Sequence, residues 1–106
     1  MFARMVSMHL RPNAVAEFTR TIEKEHHTSL RKQKGFQDEI TLVVAGGTEA
    51  VAISLWDQKE SAEVYNRGTY PEVLKALAKM IQGHPHIQNY EVANSTFHKI
   101  AAHATA

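Results

Sequence analysis

Residues 50–66, AVAISLWDQKESAEVYN, change period in the middle. Up to Trp56 apolar side chains fill almost every position, as in a strand buried on both faces; after Asp57 the apolar spacing becomes helical. The chain's only tryptophan stands at this junction. Trp56 reads there either as the wall of a ligand pocket or as the corner of a core.

Upstream, residues 36–45 (FQDEITLVVA) read as a second strand joined to 50–56 by GGTE, where Gly46 and Gly47 supply the positive φ of a tight turn. Residues 2–10 alternate: Phe2, Arg4, Val6, Met8 and Leu10 share one face, and Ala3, Met5, Ser7 and His9 the other. Pro12 closes that strand and Asn13 is placed to cap a helix. From there to about Lys34, Val15, Phe18, Ile22, His26 and Leu30 form one apolar stripe, and Gly35 supplies the left-handed stop. Downstream, Asp57 and Glu60 have capping-box spacing, so a short helix is expected to about Arg67 before Gly68 interrupts it. A second helix is predicted over 69–82, ended by Gly83 and Pro85, and a last strand over 87–100. Residues 101–106 read as a frayed tail.

The length of 106 residues and a hydrophobic fraction of 43% give a single domain, 1–106, with a modest core. Twelve basic residues nearly cancel eleven acidic ones, so charge marks neither nucleic acid nor a membrane surface as the partner. Without cysteine there is no disulfide, thiolate metal site or cysteine nucleophile. No apolar run approaches the ~18 residues of a membrane span, and the N-terminal segment lacks a cleavage pattern. The expectation is a soluble, cytoplasmic protein.

The order strand, helix, strand, strand, helix, strand is the ferredoxin-like βαββαβ pattern of the α+β class, with a four-stranded antiparallel sheet. Right-handed crossovers place both helices on one face. Yet Ile40, Leu42 and Val44 lie opposite Val43 and Ala45, and Val51, Ile53 and Leu55 opposite Ala52 and Trp56, so the other face is apolar as well. A second copy of the chain is its expected cover, giving a homodimer through the sheet face and a dimeric α/β barrel.

LWDQKESAEVYN after the hairpin, KGFQDE after the first helix and the βαββαβ order together resemble the antibiotic biosynthesis monooxygenase (ABM) family of dimeric α/β barrel proteins, over roughly residues 2–98. The resemblance implies a cofactor-independent monooxygenase or isomerase acting on a small aromatic or quinone-like metabolite. Family activity is usually ascribed to a strand-end Trp, an Asn earlier on that strand and a Tyr in the following helix. Trp56 matches the first; the other two positions fall on Ala52 and about Ala62. Heme-degrading relatives use an axial His in the second helix and an Asn in the first strand, and neither is present, so no cofactor is expected.

The candidate residues follow. Trp56 offers a flat surface and an N–H donor for an aromatic ligand. Tyr65, Asn66, Arg67 and Tyr70 surround the break at Gly68, where a pocket mouth is expected, with Arg67 free for an anion or carbonyl. His9 and His98 fall on neighbouring strands and are expected to handle protons. The seven histidines lack metal-ligand spacing, so no metal is expected, and His26 reads as a half-buried packing residue. A second reading stands beside the enzyme: a non-catalytic dimeric module of the same fold that binds a small hydrophobic ligand or serves a stress response.

Overall fold

A computed structural model describes residues 1–96, the side chain of Glu25 excepted. The strands are β1 (Phe2–Leu10), β2 (Phe36–Val43), β3 (Glu49–Trp56) and β4 (Ile81–Glu91). They form one antiparallel sheet in the order β2-β3-β1-β4, so β1 is central and the ferredoxin-like topology is as expected.

The first crossover is helical from Val15 to Arg31 in three pieces: α1 (Val15–Thr21), a π-helical turn (Ile22–His26) and α2 (His27–Arg31). In the π turn the His27 N–H reaches Ile22 O five residues back, which widens the helix just before His26. Phe18, Ile22 and Leu30 of the expected stripe are buried; taking a side chain such as Phe18 out of water contributes roughly 1.5–3 kcal/mol. Asn13 does not cap this helix, because it adopts the left-handed conformation (φ 66°) and Ala14 takes the cap position. The second crossover is α3 (Lys59–Gly68), a break at Thr69, α4 (Tyr70–Leu77) and a 3-10 turn (Ala78–Met80).

Gly35 holds the join between the first crossover and β2. Its φ is 83°, and a Cβ there would overlap the Asp57 carboxylate and Ser61. The expected capping box does not form: Gln58 is the cap of α3, and Asp57 instead accepts from Ser61 Oγ at 2.8 Å while its N–H donates to Gly35 O at 2.8 Å. In the hairpin only Gly46 takes a positive φ (73°), since Gly47 N–H closing onto Val44 O completes the turn without one.

The last strand begins earlier than the sequence predicts. Gly83 and Pro85 lie inside β4, where Gly83–Pro85 bulge opposite Met8 and the register with β1 shifts. An outer strand tolerates this, because Pro removes a donor no neighbour needs and Gly83 takes φ 71°.

All the described helices lie on one sheet face. The even residues of β1 and β3 point to them and form two buried clusters. One gathers Val6, Met8, Leu10, Phe18, Ile22, Ala52, Leu77 and Met80; the other gathers Phe2, Leu30, Trp56, Ala62 and Tyr65. The opposite face carries Ile40, Leu42 and Val44, each about half exposed, with Val51, Ile53, Leu55 and Met5 beside them. No described helix is long and apolar enough to cross a membrane.

Candidate functional site

Arg4 lies on β1 between Phe2 of one cluster and Val6 of the other, and Ser54 lies on β3 between Ala52 and Trp56. The two are register partners and the buried polar residues of the described core. Continuing across the sheet, Glu39 of β2 stands opposite Ser54, and Asn89 of β4 opposite Arg4. A polar row therefore crosses the sheet on its helix-covered side, between the two hydrophobic clusters.

Helix residues close over this row. Arg4 donates from Nη2 to Asn66 Oδ1 at 2.7 Å, and its guanidinium carbon lies 4.1 Å from the Tyr70 ring centroid and 5.4 Å from that of Tyr65. Stacking of this kind stabilises a desolvated cation by roughly 2 kcal/mol. No carboxylate lies within ion-pair distance of Arg4 among the described residues. Burial holds its pKa below the usual arginine value, against the opposing influence of Tyr65 and Tyr70. Glu39 sits two strands away, roughly 10 Å at the usual spacing, and is engaged by His27 Nε2 at 2.8 Å and Thr41 Oγ1 at 2.7 Å.

From the π turn, His26 Nε2 meets Tyr65 Oη at 2.8 Å. Burial, then the neighbouring charges of His27 and Arg4, lower the His26 pKa to about 4, so the ring is neutral near pH 7. Burial likewise raises the Tyr65 pKa, so its hydroxyl keeps its proton. The other imidazole nitrogen, Nδ1, is buried without a partner among the described residues.

Several of these groups line one narrow pocket between sheet and helices, with a cavity volume of about 20 Å³. Arg4, His26, Glu39, Ser54 and Tyr70 supply its polar or aromatic edge; Val6, Met8, Ile22, Val73, Leu77 and Ile81 supply apolar walls. A permanent cation, neutral donors and apolar walls suit a flat ligand with one polar edge.

The expected site residues take different places around it. Tyr70 lines the pocket. Trp56 is fully buried behind it: its Nε1–H donates to Ser54 Oγ at 2.9 Å, and its ring packs on Phe36 and Tyr65. Trp56 is thus a core corner that reaches the pocket through Ser54, and Tyr65 reaches it through His26. Asn66 holds Arg4, and Arg67 is exposed on α3. His9 is exposed at the sheet end, 3.7 Å from Glu49, with Gln82 as its partner on β4; His98 lies outside the described residues. Among the described residues no group of three or more His, Asp or Glu could hold a metal ion.

Sequence reading did not single out Arg4 or His26 as functional, though a signal was present for both. Each interrupts an otherwise apolar stripe, and an ionisable group on the buried face of an element is either satisfied or functional.

No family model matches the chain, and no curated protein does. Solved structures share its fold. A protein of unknown function from Nitrosomonas europaea aligns with a TM-score of 0.74 at 15% identity, covering 90% of this chain and 91% of that one. One from the same organism, provisionally named an antibiotic biosynthesis monooxygenase, aligns at 0.72 and 16% identity, covering 87% and 98%. A monooxygenase from Streptomyces coelicolor, in complex with the ligand nanaomycin D, aligns at 0.74 and 17% identity, covering 86% of each chain. The fold of this chain is therefore the one found in proteins named antibiotic biosynthesis monooxygenases, the group its sequence resembles.

Proposed function

We propose that this chain, which has the fold of proteins named antibiotic biosynthesis monooxygenases, is a cofactor-independent monooxygenase or isomerase acting on a small aromatic or quinone-like metabolite. The observation that carries the reading is the buried Arg4 guanidinium, without a carboxylate partner among the described residues, on the edge of an apolar pocket. Oxidation of a ring methylene to a carbonyl by molecular oxygen, with release of one water, balances without an external reductant. The barrier lies in building negative charge on the ring oxygen, which a fixed cation in a dry site lowers. In this reading Arg4 stabilises that charge, Tyr70 stacks on the ring, His26 and Ser54 orient it, and Trp56 and Tyr65 hold the floor rigid. The fold shared with a monooxygenase that binds nanaomycin D supports the aromatic ligand class.

The assembly we propose is a homodimer in which the apolar sheet face of one copy covers that of the other. The exposed Ile40, Leu42 and Val44 support it.

A second reading, a non-catalytic ligand-binding module, draws on a different observation. His26 is held neutral with a pKa of about 4 and Tyr65 is held protonated, so neither accepts a proton readily near neutral pH. Oxygen consumption separates the two. With hydroxyanthrones under air, the monooxygenase reading predicts uptake above the uncatalysed rate, incorporation of labelled oxygen into the new carbonyl, and loss of both in Arg4→Gln. Binding of these compounds with no acceleration overturns the monooxygenase reading and favours the module.

A further inference from the structure

The cavity edged by Arg4, His26 and Tyr70 has a volume of about 20 Å³. An apolar cavity that takes up one benzene ring measures roughly 150 Å³, so the pocket as it stands is closed to a ring. Room lies next to it. A cleft of about 170 Å³ runs between the first crossover and α4, with Thr21 and Ser29 on one side and Glu72 and Ala76 on the other. Cavity and cleft share His26, Val73 and Leu77 as their common wall, and two of those three belong to α4.

α4 is also lightly supported. α3 runs close along β1 and β3, and α2 along β2, whereas α4 comes as close only to its chain neighbours, α3 and the 3-10 turn. Both of its ends are jointed. At its start Gly68 and the break at Thr69 part it from α3, and a side chain at Gly68 would meet nothing. At its finish it passes into the 3-10 turn, which the Arg11 N–H pins by donating to Met80 O at 2.8 Å. Between these points three attachments hold it down: Gln33 Nε2 donating to Thr69 Oγ1 at 3.1 Å, Tyr70 stacked 4.1 Å from the Arg4 guanidinium carbon, and the apolar side chains Val73, Leu74 and Leu77. Across the cleft the first crossover is itself interrupted by the π turn that ends at His26.

We infer that α4 is a lid, which swings away from the first crossover about Gly68–Thr69 and Ala78 and so joins the cavity to the cleft. Joined, the two exceed the roughly 150 Å³ that one ring requires. The inference rests on the aromatic-ligand reading for what enters; the movement itself belongs to the chain alone. Opening uncovers Val73, Leu74 and Leu77, which makes the open state a minor one. A ring that fills the gap restores apolar contact to those side chains, so its binding shifts the population that local opening already supplies.

The chain has no cysteine, so a single introduced thiol reports on one place. Leu77→Cys puts it beneath α4, and Leu30→Cys puts a control in the core below α2; the parent residues are 4% and 0% exposed. In low urea the Leu77→Cys thiol is expected to react with a disulfide reagent at least about tenfold faster than that variant's global unfolding allows, with weak urea dependence. The Leu30→Cys thiol is expected to react only through global unfolding. Hydrogen exchange of the unaltered chain gives the same test should Leu77→Cys fail to fold. There the amides of Leu74 and Leu77 are expected to share one opening that the Tyr65 amide of α3 does not. Gln33→Ala, which frees Thr69, is expected to speed exchange in α4 several-fold and leave Tyr65 unmoved. Protection of α4 equal to that of α3, or a Leu77→Cys thiol as protected as Leu30→Cys, overturns the lid. Neither readout contains a ligand, so that failure leaves the aromatic-ligand reading to its own oxygen-uptake test.

Discussion

His26 and Tyr65, 39 positions apart in the chain, meet with Nε2 and Oη 2.8 Å apart, tying the π turn of the first crossover to α3 across the pocket. Their rings lie 6.3 Å apart and nearly parallel, and Tyr65 in turn packs 5.2 Å from Trp56. The bond does two things: it satisfies one of two buried imidazole nitrogens, and it fixes Tyr65 behind His26. Tyr65→Phe keeps the ring and leaves His26 unpaired at both nitrogens. A loss of about 1–3 kcal/mol in unfolding free energy is expected, measured by urea denaturation, with little change in denaturant slope.

The same residue sets an acid limit. Unfolded, the His26 imidazole takes up its proton near 6.5; folded, it does so only at about 4. Between those values the unfolded chain binds more protons, so stability is full above pH 6.5 and falls as pH drops towards 4. The shift corresponds to at most about 3.4 kcal/mol, reduced by the partial exposure of the ring. Arg4, Tyr65, Tyr70, His27 and Glu39 surround the pocket edge where this occurs. Urea midpoints at about pH 7 and about pH 4.5 read the fall, and His26→Gln is expected to flatten that part of the profile. An unchanged slope in His26→Gln would mean that other groups carry the acid sensitivity.

Gly35 is the least replaceable backbone position. Alanine there must adopt φ near 83° and displace the Asp57 carboxylate and Ser61, which are bonded to each other. Gly35→Ala is expected to cost roughly 1–3 kcal/mol. Gly46→Ala, with a similar φ but open space around it, is expected to lose only the smaller conformational share. Thermal melts of the two variants provide the comparison.

The sheet face opposite the helices provides a further expectation. Ile40 is 54% exposed, Val44 53% and Leu42 48%, all on one face. Sedimentation velocity at micromolar concentration is expected to give a dimer, and Leu42→Glu a monomer with exposed apolar surface. A wild-type monomer at that concentration would remove the proposed assembly.

Much of the fold was legible because burial imposes period on the chain. Phe18, Ile22 and Leu30 recur at helical spacing and are buried, and β1 alternates as its sequence does. The start of β4 was not legible. Gly83 and Pro85 ordinarily end elements, and only the outer place of β4, which the local sequence does not reveal, lets the strand run through them. The site was visible in part. Tyr70 and Asn66 stood out beside the Gly68 break, but Trp56 drew attention as the sole indole and proves to be enclosed by Phe36 and Tyr65. Arg4 needed three dimensions, since its meaning depends on what is not beside it, and that is a property of the whole sheet row.

The central claim, that the pocket edged by Arg4, His26 and Tyr70 is where an aromatic ligand binds, is tested most directly by amide chemical-shift mapping on titration with 2-hydroxy-1,4-naphthoquinone. The account predicts that the largest shifts fall on residues of that pocket, Arg4, His26, Tyr70 and Val73 among them. Shifts concentrated instead on the open face around Ile40, Leu42 and Ile53, with the pocket residues unmoved, would contradict it.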